Sequence, residues 1–237
     1  YMLQQHINNT RAPMWQMRPD NEAAKRFLHR AVDTVDQRHY PDPTVVSGQP
    51  ETYLFRFTKQ ELKGADREYI MEVMDWPGEW FEDPEKGGAD LLNYLTRCKG
   101  LLCLVDPDRG ENEPFMAFLA KLLMDLQYTN NNNRIDKKIA FCLTKMDEPQ
   151  HRPFLYLPNA YIRQKMGENM IQRIQMACAP GKVSYDWACS AVGFFPGKTP
   201  LRSNSGIEFD GQKMIYNIKE IKPFGLFEPL EKWLFVD

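Results

Sequence analysis

Asp75-Trp76-Pro77-Gly78-Glu79 closes an apolar run, Tyr69-Ile70-Met71-Glu72-Val73-Met74. A carboxylate at a strand end can hold Mg2+, a hard ion that takes oxygen ligands and keeps several waters. Gly78 offers a backbone N–H that no side chain screens, so a terminal phosphate could approach it closely. Pro77 stiffens the turn, and Glu79 stands where a side chain could order water. By themselves the same residues also make an ordinary Asp-x-Pro-Gly turn.

Two further segments carry recognition chemistry. Thr144-Lys145-Met146-Asp147 follows the apolar run 139–143. A carboxylate accepts two hydrogen bonds side by side, and guanine offers such a pair at N1–H and its exocyclic amine, so Asp147 could read that base. Lys145 could lay its aliphatic stem over the ring, and the Thr144 hydroxyl could tie loops together. Ser190-Ala191 follows the run 183–189, and a small residue there lets a backbone N–H reach a base carbonyl. Taken singly, a solvated loop with mixed charges is the better explanation of Thr144 to Asp147, and Ser-Ala is a common dipeptide.

The elements that would position these residues can be read from periodicity. Ala23, Phe27, Leu28, Ala31, Val32 and Val35 recur at helical spacing over 21–38. Asp20 or Asn21 can cap that helix, and Pro41 forbids its continuation. Residues 11–20, with Pro13 and Pro19, and 41–51 read as loops; 1–8 suits the tail of a helix. Strands are expected over 52–58 and 69–74, joined by a turn at Gly64-Ala65-Asp66. Further along, helices are expected at 89–98, 114–128 and 161–178, and a short last helix at 226–235 opened by Pro229. Buried strands are expected at 101–105 and 138–143, a further strand at 183–189, and an irregular or hairpin segment at 193–216. Strand–helix alternation from about residue 69 onward argues for an α/β fold with a parallel sheet. In such sheets functional loops leave the carboxyl ends of the strands, where all three segments fall.

With that order and placement, the chain resembles a P-loop GTPase of the Ras-like kind. Asp75 to Gly78 matches D-x-x-G, Thr144 to Asp147 matches [NT]-K-x-D, and Ser190-Ala191 matches the S-A loop. The likeness covers roughly residues 40–192 and the final helix. The D-W-P-G-E variant and Pro223-Phe224-Gly225-Leu226-Phe227-Glu228-Pro229-Leu230 are similar to bacterial double-GTPase domains of multi-component conflict or signalling systems. The resemblance implies one three-layer domain over 1–237, with a mostly parallel sheet and insertions at about 11–40 and 193–222. It implies GTP or GDP and Mg2+ as ligands, with Asp75 and Thr44 toward the metal and Gly78 and Glu79 in catalysis. Thr144, Lys145, Asp147, Ser190 and Ala191 would bind the nucleotide, and a protein effector or second GTPase subunit would be the partner. Glu79 departs from the familiar Gln, and a carboxylate there repels a triphosphate unless a cation offsets it, so slow or partner-assisted hydrolysis is expected.

One part is missing. No G-x-x-x-x-G-K-[ST] precedes Asp75. The sole G-K-T, Gly197-Lys198-Thr199, has Val192 where the first glycine is required, and Pro200 after it opens no helix. Tyr1-Met2-Leu3-Gln4-Gln5 resembles the continuation of the family's first helix, which implies a first strand and P-loop just upstream. That strand would lie between those ending at Asp75 and Val105. Without it backbone groups at the sheet centre lack partners, so this chain alone is expected to bind nucleotide poorly. A pseudo-GTPase acting as an interaction module, or an ATPase of the same superfamily, are the competing expectations.

Bulk properties narrow the classes. Thirty basic against 32 acidic residues leave no strong field for a polyanion, and no basic block is interleaved with aromatics, so nucleic acid is not an expected partner. No apolar run approaches the ~20 residues of a membrane helix. The five cysteines form no C-x-x-C pair, and an odd number without a framework suggests a reducing, cytoplasmic setting. His6, His29, His39 and His151 lack metal spacing, so no zinc site is expected.

Overall fold

A computed structural model describes residues 15–37, 51–61, 64–74, 88–108, 114–130, 133–194, 202–207, 213–215 and 221–236. Asp75 to Glu79 and Thr44 lie outside the described residues, as do 1–8 and Gly197-Lys198-Thr199. The chain divides into two compact units, one from 1–77 and 191–227, the other from 78–190 and 228–237.

The first unit is built on an antiparallel sheet in the order β1-β2-β3, from β1 (Trp15–Pro19), β2 (Thr52–Lys59) and β3 (Arg67–Met74). A loop was expected over 11–20, but Trp15 and Met17 turn inward while Gln16 and Arg18 turn outward, the period-two pattern of a half-buried strand. Pro19 is tolerated because β1 pairs with β2 alone among the described residues and the proline is its last residue. On β2, Tyr53, Phe55 and Phe57 alternate inward. Phe227 completes this core: its ring stacks on Phe57 at 5.8 Å and meets Trp15 edge-on at 5.1 Å. Helix α1 (Glu22–Asp36) packs on β2 through Ala24 and Leu28. Its start is set by Asn21, whose Oδ1 accepts from Ala24 N at 2.8 Å. The same side chain donates from Nδ2 to the Thr52 carbonyl at 2.9 Å, so the cap also fixes the helix to the sheet. A hairpin of β7 (Ser205–Ile207) and β8 (Lys213–Ile215) falls in the segment expected to be irregular or a hairpin.

The second unit carries a parallel sheet in the order β4-β5-β6, from β4 (Gly100–Val105), β5 (Lys138–Leu143) and β6 (Val183–Ala188). Strand β5 is central, and Ile139 to Leu143 are all at most 1% exposed, as the continuous apolar run requires. Each such Ile, Leu or Phe is worth about 1.5–3 kcal/mol of burial. The sheet is accompanied by α2 (Gly88–Arg97), α3 (Pro114–Thr129), α4 (Pro158–Met166) and α5 (Glu168–Ala177). One helix was expected over 161–178. Gly167, at φ 76° and ψ 148°, leaves helical space and divides it into α4 and α5. Strand β4 was expected to be buried on both faces, yet it pairs with β5 alone among the described residues and its Leu104 is 60% exposed. The expected helix at 226–235 is a shorter helical segment over 228–234, of wide π type from Leu230 to Leu234; Phe235 N reaches back to the Leu230 carbonyl at 2.7 Å. The chain is thus a mixed α/β protein whose parallel sheet begins at β4, whereas alternation had suggested an origin near residue 69.

Candidate functional site

Parallel register brings three loops to one end of the second unit's sheet. Val105 of β4 lies beside Leu143 of β5, and Leu143 beside Ala188 of β6, so the residues that follow each strand leave at the same level. The loops are sewn together by main-chain bonds: Thr144 N to the Val105 carbonyl (3.0 Å), Cys189 N to the Leu143 carbonyl (2.7 Å) and Met146 N to the Cys189 carbonyl (3.2 Å). The Thr144 hydroxyl adds a second donor to the Val105 carbonyl at 3.2 Å.

Within this frame Asp147 and Ser190 meet. The Ser190 hydroxyl donates to Asp147 Oδ1 at 2.5 Å; Asp147 is 3% exposed and Ser190 1%. A buried carboxylate needs such partners, because desolvation of an unpaired charge is costly. Arg152 Nε also donates to the Asp147 carbonyl, at 3.1 Å. Ala191, the next residue along, is exposed.

Lys145 adopts φ 55°, the left-handed region that a non-glycine residue seldom occupies. Its Nζ donates to Asp106 Oδ2 at 2.8 Å and to Asp108 Oδ2 at 3.2 Å. Burial works against the ammonium, but the two carboxylates outweigh it and hold the Lys145 pKa above its ordinary value. Burial likewise opposes ionisation of Asp108, and the bonds from Lys145 and His151 outweigh that, leaving its carboxyl below the usual range.

Asp106, Asp108, His151 and Tyr161 did not stand out in the sequence. Asp106-Pro107-Asp108 follows an apolar strand in the way that Thr144 to Asp147 does, and the strand-end rule would have found it. His151 is buried; its Nε2 lies 3.0 Å from Asp108 Oδ1 and its Nδ1 3.0 Å from the Tyr161 hydroxyl. An ionised carboxylate only accepts, so Nε2 carries the proton and Nδ1 accepts from Tyr161. Phe154 stacks on the Tyr161 ring at 4.0 Å and closes the far side. Asp108, Glu148 and His151 place one ligand atom each within 4.8 Å of one another, although no histidine spacing had suggested a metal. Within that group the Asp108 carboxylate already accepts from the Lys145 ammonium and from the His151 Nε2–H.

The fold and the site define an α/β protein with a polar, charge-paired cluster at the carboxyl end of a parallel sheet. Comparison with protein-family models, curated proteins and solved structures found no match in any of the three. No helix among the described residues is long and apolar enough to cross a membrane.

Proposed function

We propose that this chain belongs to a Ras-like P-loop GTPase domain, a switch that binds GTP and hydrolyses it with Mg2+. The observation that carries the reading is the Asp147–Ser190 hydrogen bond, which joins the [NT]-K-x-D candidate to the S-A candidate across 43 residues of chain. A carboxylate has about four lone-pair sites, and the Ser190 bond uses one while setting the plane of the group. In this reading Asp147 pairs with the guanine edge, the Lys145 stem lies over the base, and the exposed Ala191 leaves room for a backbone N–H at the base carbonyl. Asp75, Thr44, Gly78 and Glu79 keep the metal and phosphate roles that the resemblance implies.

The reading requires a strand beside β4 whose end carries the phosphate loop. The apolar sequence of β4 suits a strand buried between two neighbours. Asp147→Asn in the intact protein exchanges an acceptor for a donor toward guanine N1–H or its amine. Hydrogen bonds to charged groups are worth ~1.5–3 kcal/mol, so GTP affinity should fall about ten- to a hundredfold. Titration with a fluorescent GTP measures it; equal affinity in mutant and wild type sinks the base-reading role.

A second reading has one observation in its favour: Lys145, Asp106, Asp108 and His151 already bond to one another without a ligand. It makes the chain a pseudo-GTPase interaction module, with a protein effector or second GTPase subunit as its partner. GTP turnover by the intact protein excludes it. Competition by ATP against labelled GTP separates both from an ATPase of the same superfamily.

A further inference from the structure

We infer that His151 is a positioning residue for base recognition, acting through Asp108 on Lys145; the inference rests on the guanine-binding reading above. The chain of contacts is continuous. Tyr161 on α4 hydrogen-bonds His151 Nδ1, His151 Nε2 bonds one oxygen of Asp108, and the other oxygen of Asp108, with Asp106, holds the Lys145 ammonium. Both ends matter physically. Tyr161 and His151 are 5% and 2% exposed, so they belong to the packed interior, whereas Lys145 and Asp108 are open to solvent on one side.

A lysine that stacks its stem on a base must hold its four-carbon chain extended in one direction, at a cost in rotamer entropy. Two carboxylates on the neighbouring loop can fix the far end of that chain, but only if they are fixed themselves. Asp106 and Asp108 lie in the loop after β4, and Asp108 is 45% exposed on its side chain. The buried imidazole supplies the fixed point. It anchors Asp108 to the segment that also carries Thr144 to Asp147, since His151 N donates to the Glu148 carbonyl and Glu148 N to the Lys145 carbonyl, each at 3.0 Å. The lysine is thereby held at both its strained backbone and its ammonium.

The test compares His151→Ala, His151→Gln and Asp108→Asn in the full-length protein. It uses N-methylanthraniloyl-GDP affinity, the turnover rate at saturating GTP and hydrogen exchange of the 144–147 amides. Glutamine keeps an N–H near the place of Nε2 and can still donate to Asp108. The expected result is a roughly tenfold weaker affinity and faster exchange in His151→Ala, with saturated turnover unchanged, and recovery to within about twofold in His151→Gln. Asp108→Asn should match the alanine variant, and the double variant should be no worse than either alone. Wild-type affinity in His151→Ala overturns the positioning role and leaves the GTPase reading intact. A wild-type protein that binds no guanine nucleotide overturns both. A loss in His151→Ala that tracks a lower melting temperature and is not rescued by glutamine assigns His151 to packing alone and overturns the inference.

Discussion

Tyr185 carries a hydroxyl that is buried on β6 without a hydrogen-bond partner among the described residues, and burial pushes its pKa up to about 12. Its ring stacks on Phe141 at 5.2 Å, a contact that phenylalanine would keep. An unsatisfied buried hydroxyl costs on the order of 1–3 kcal/mol, so Tyr185→Phe should be neutral or stabilising by up to about 1 kcal/mol in urea unfolding. A clear loss of stability would mean that the hydroxyl has a partner. At the polar cluster the signs run the other way. The lowered Asp108 pKa contributes stability that is present above 3.8 and lost as pH falls through the folded value. The raised Lys145 pKa contributes stability that is fully present below 10.5 and lost as pH rises through its folded value. The difference in unfolding free energy between wild type and Lys145→Met should therefore be flat across neutral pH and shrink at both extremes. The groups are more than a third exposed, so the plateau should be small, about 0.2–1 kcal/mol. A difference that changes steeply near neutral pH would contradict the assignment of this stability to Asp108 and Lys145.

Gly193 shows how one residue fixes the path of an element. It sits at φ 69°, and a Cβ there would lie 2.0 Å from the Lys222 carbonyl oxygen. The close approach is held by Lys222 N on the Val192 carbonyl (3.2 Å) and Asn204 N on the Gly193 carbonyl (3.1 Å). Backbone, not a movable side chain, occupies the space, so Gly193→Ala should lower the first unit's stability by at least about 2 kcal/mol in thermal or chemical unfolding; an unchanged midpoint would contradict this geometry. Elements whose signals are local were legible in the sequence: α1 through its Asn21 cap and apolar spacing, β5 and β6 through short apolar runs, and the hairpin region near 193–216. Those that depend on distant partners were not. Strand β1 exists because it pairs with β2 some forty residues on, and the prolines around it obscured the alternation of Trp15 and Met17. The split at Gly167 needed a backbone angle that the composition does not declare. The site divides the same way. Asp147 and Ser190 were legible as strand-end residues, whereas His151, Asp108 and Tyr161 join only when α4 packs against the sheet.

At the scale of the molecule, neither unit is a single stretch of chain. The path passes from one to the other at 77/78, 190/191 and 227/228, so the second unit joins 78–190 with 228–237. The Leu230–Leu234 segment packs on β4 and β5. Leu230 is 2% exposed, and Leu234 lies so close to Gly100 that a Cβ there would come within 3.0 Å of its Cδ2. Lys138 at the start of β5 donates to the Val236 carbonyl and lies 5.8 Å from the Trp233 ring centroid. These contacts seal the amino-terminal end of β4 and β5, opposite to the end that carries Thr144 to Asp147. Loosening them therefore tests whether the polar cluster depends on the whole sheet or on its own loop bonds. Leu230→Ala removes a buried side chain and should cost the second unit about 2–5 kcal/mol. Ending the chain after Phe227 should cost more and expose the amides of β4 and β5 to exchange. Because sheet register sets the level of all three loops, protection of the 144–147 amides should fall together with that of 138–143. Hydrogen exchange resolved by segment measures both. Full protection of 144–147 beside an unprotected β5 would show that the Asp108, Lys145 and His151 contacts hold the site without the sheet, contrary to the dependence argued from its parallel register.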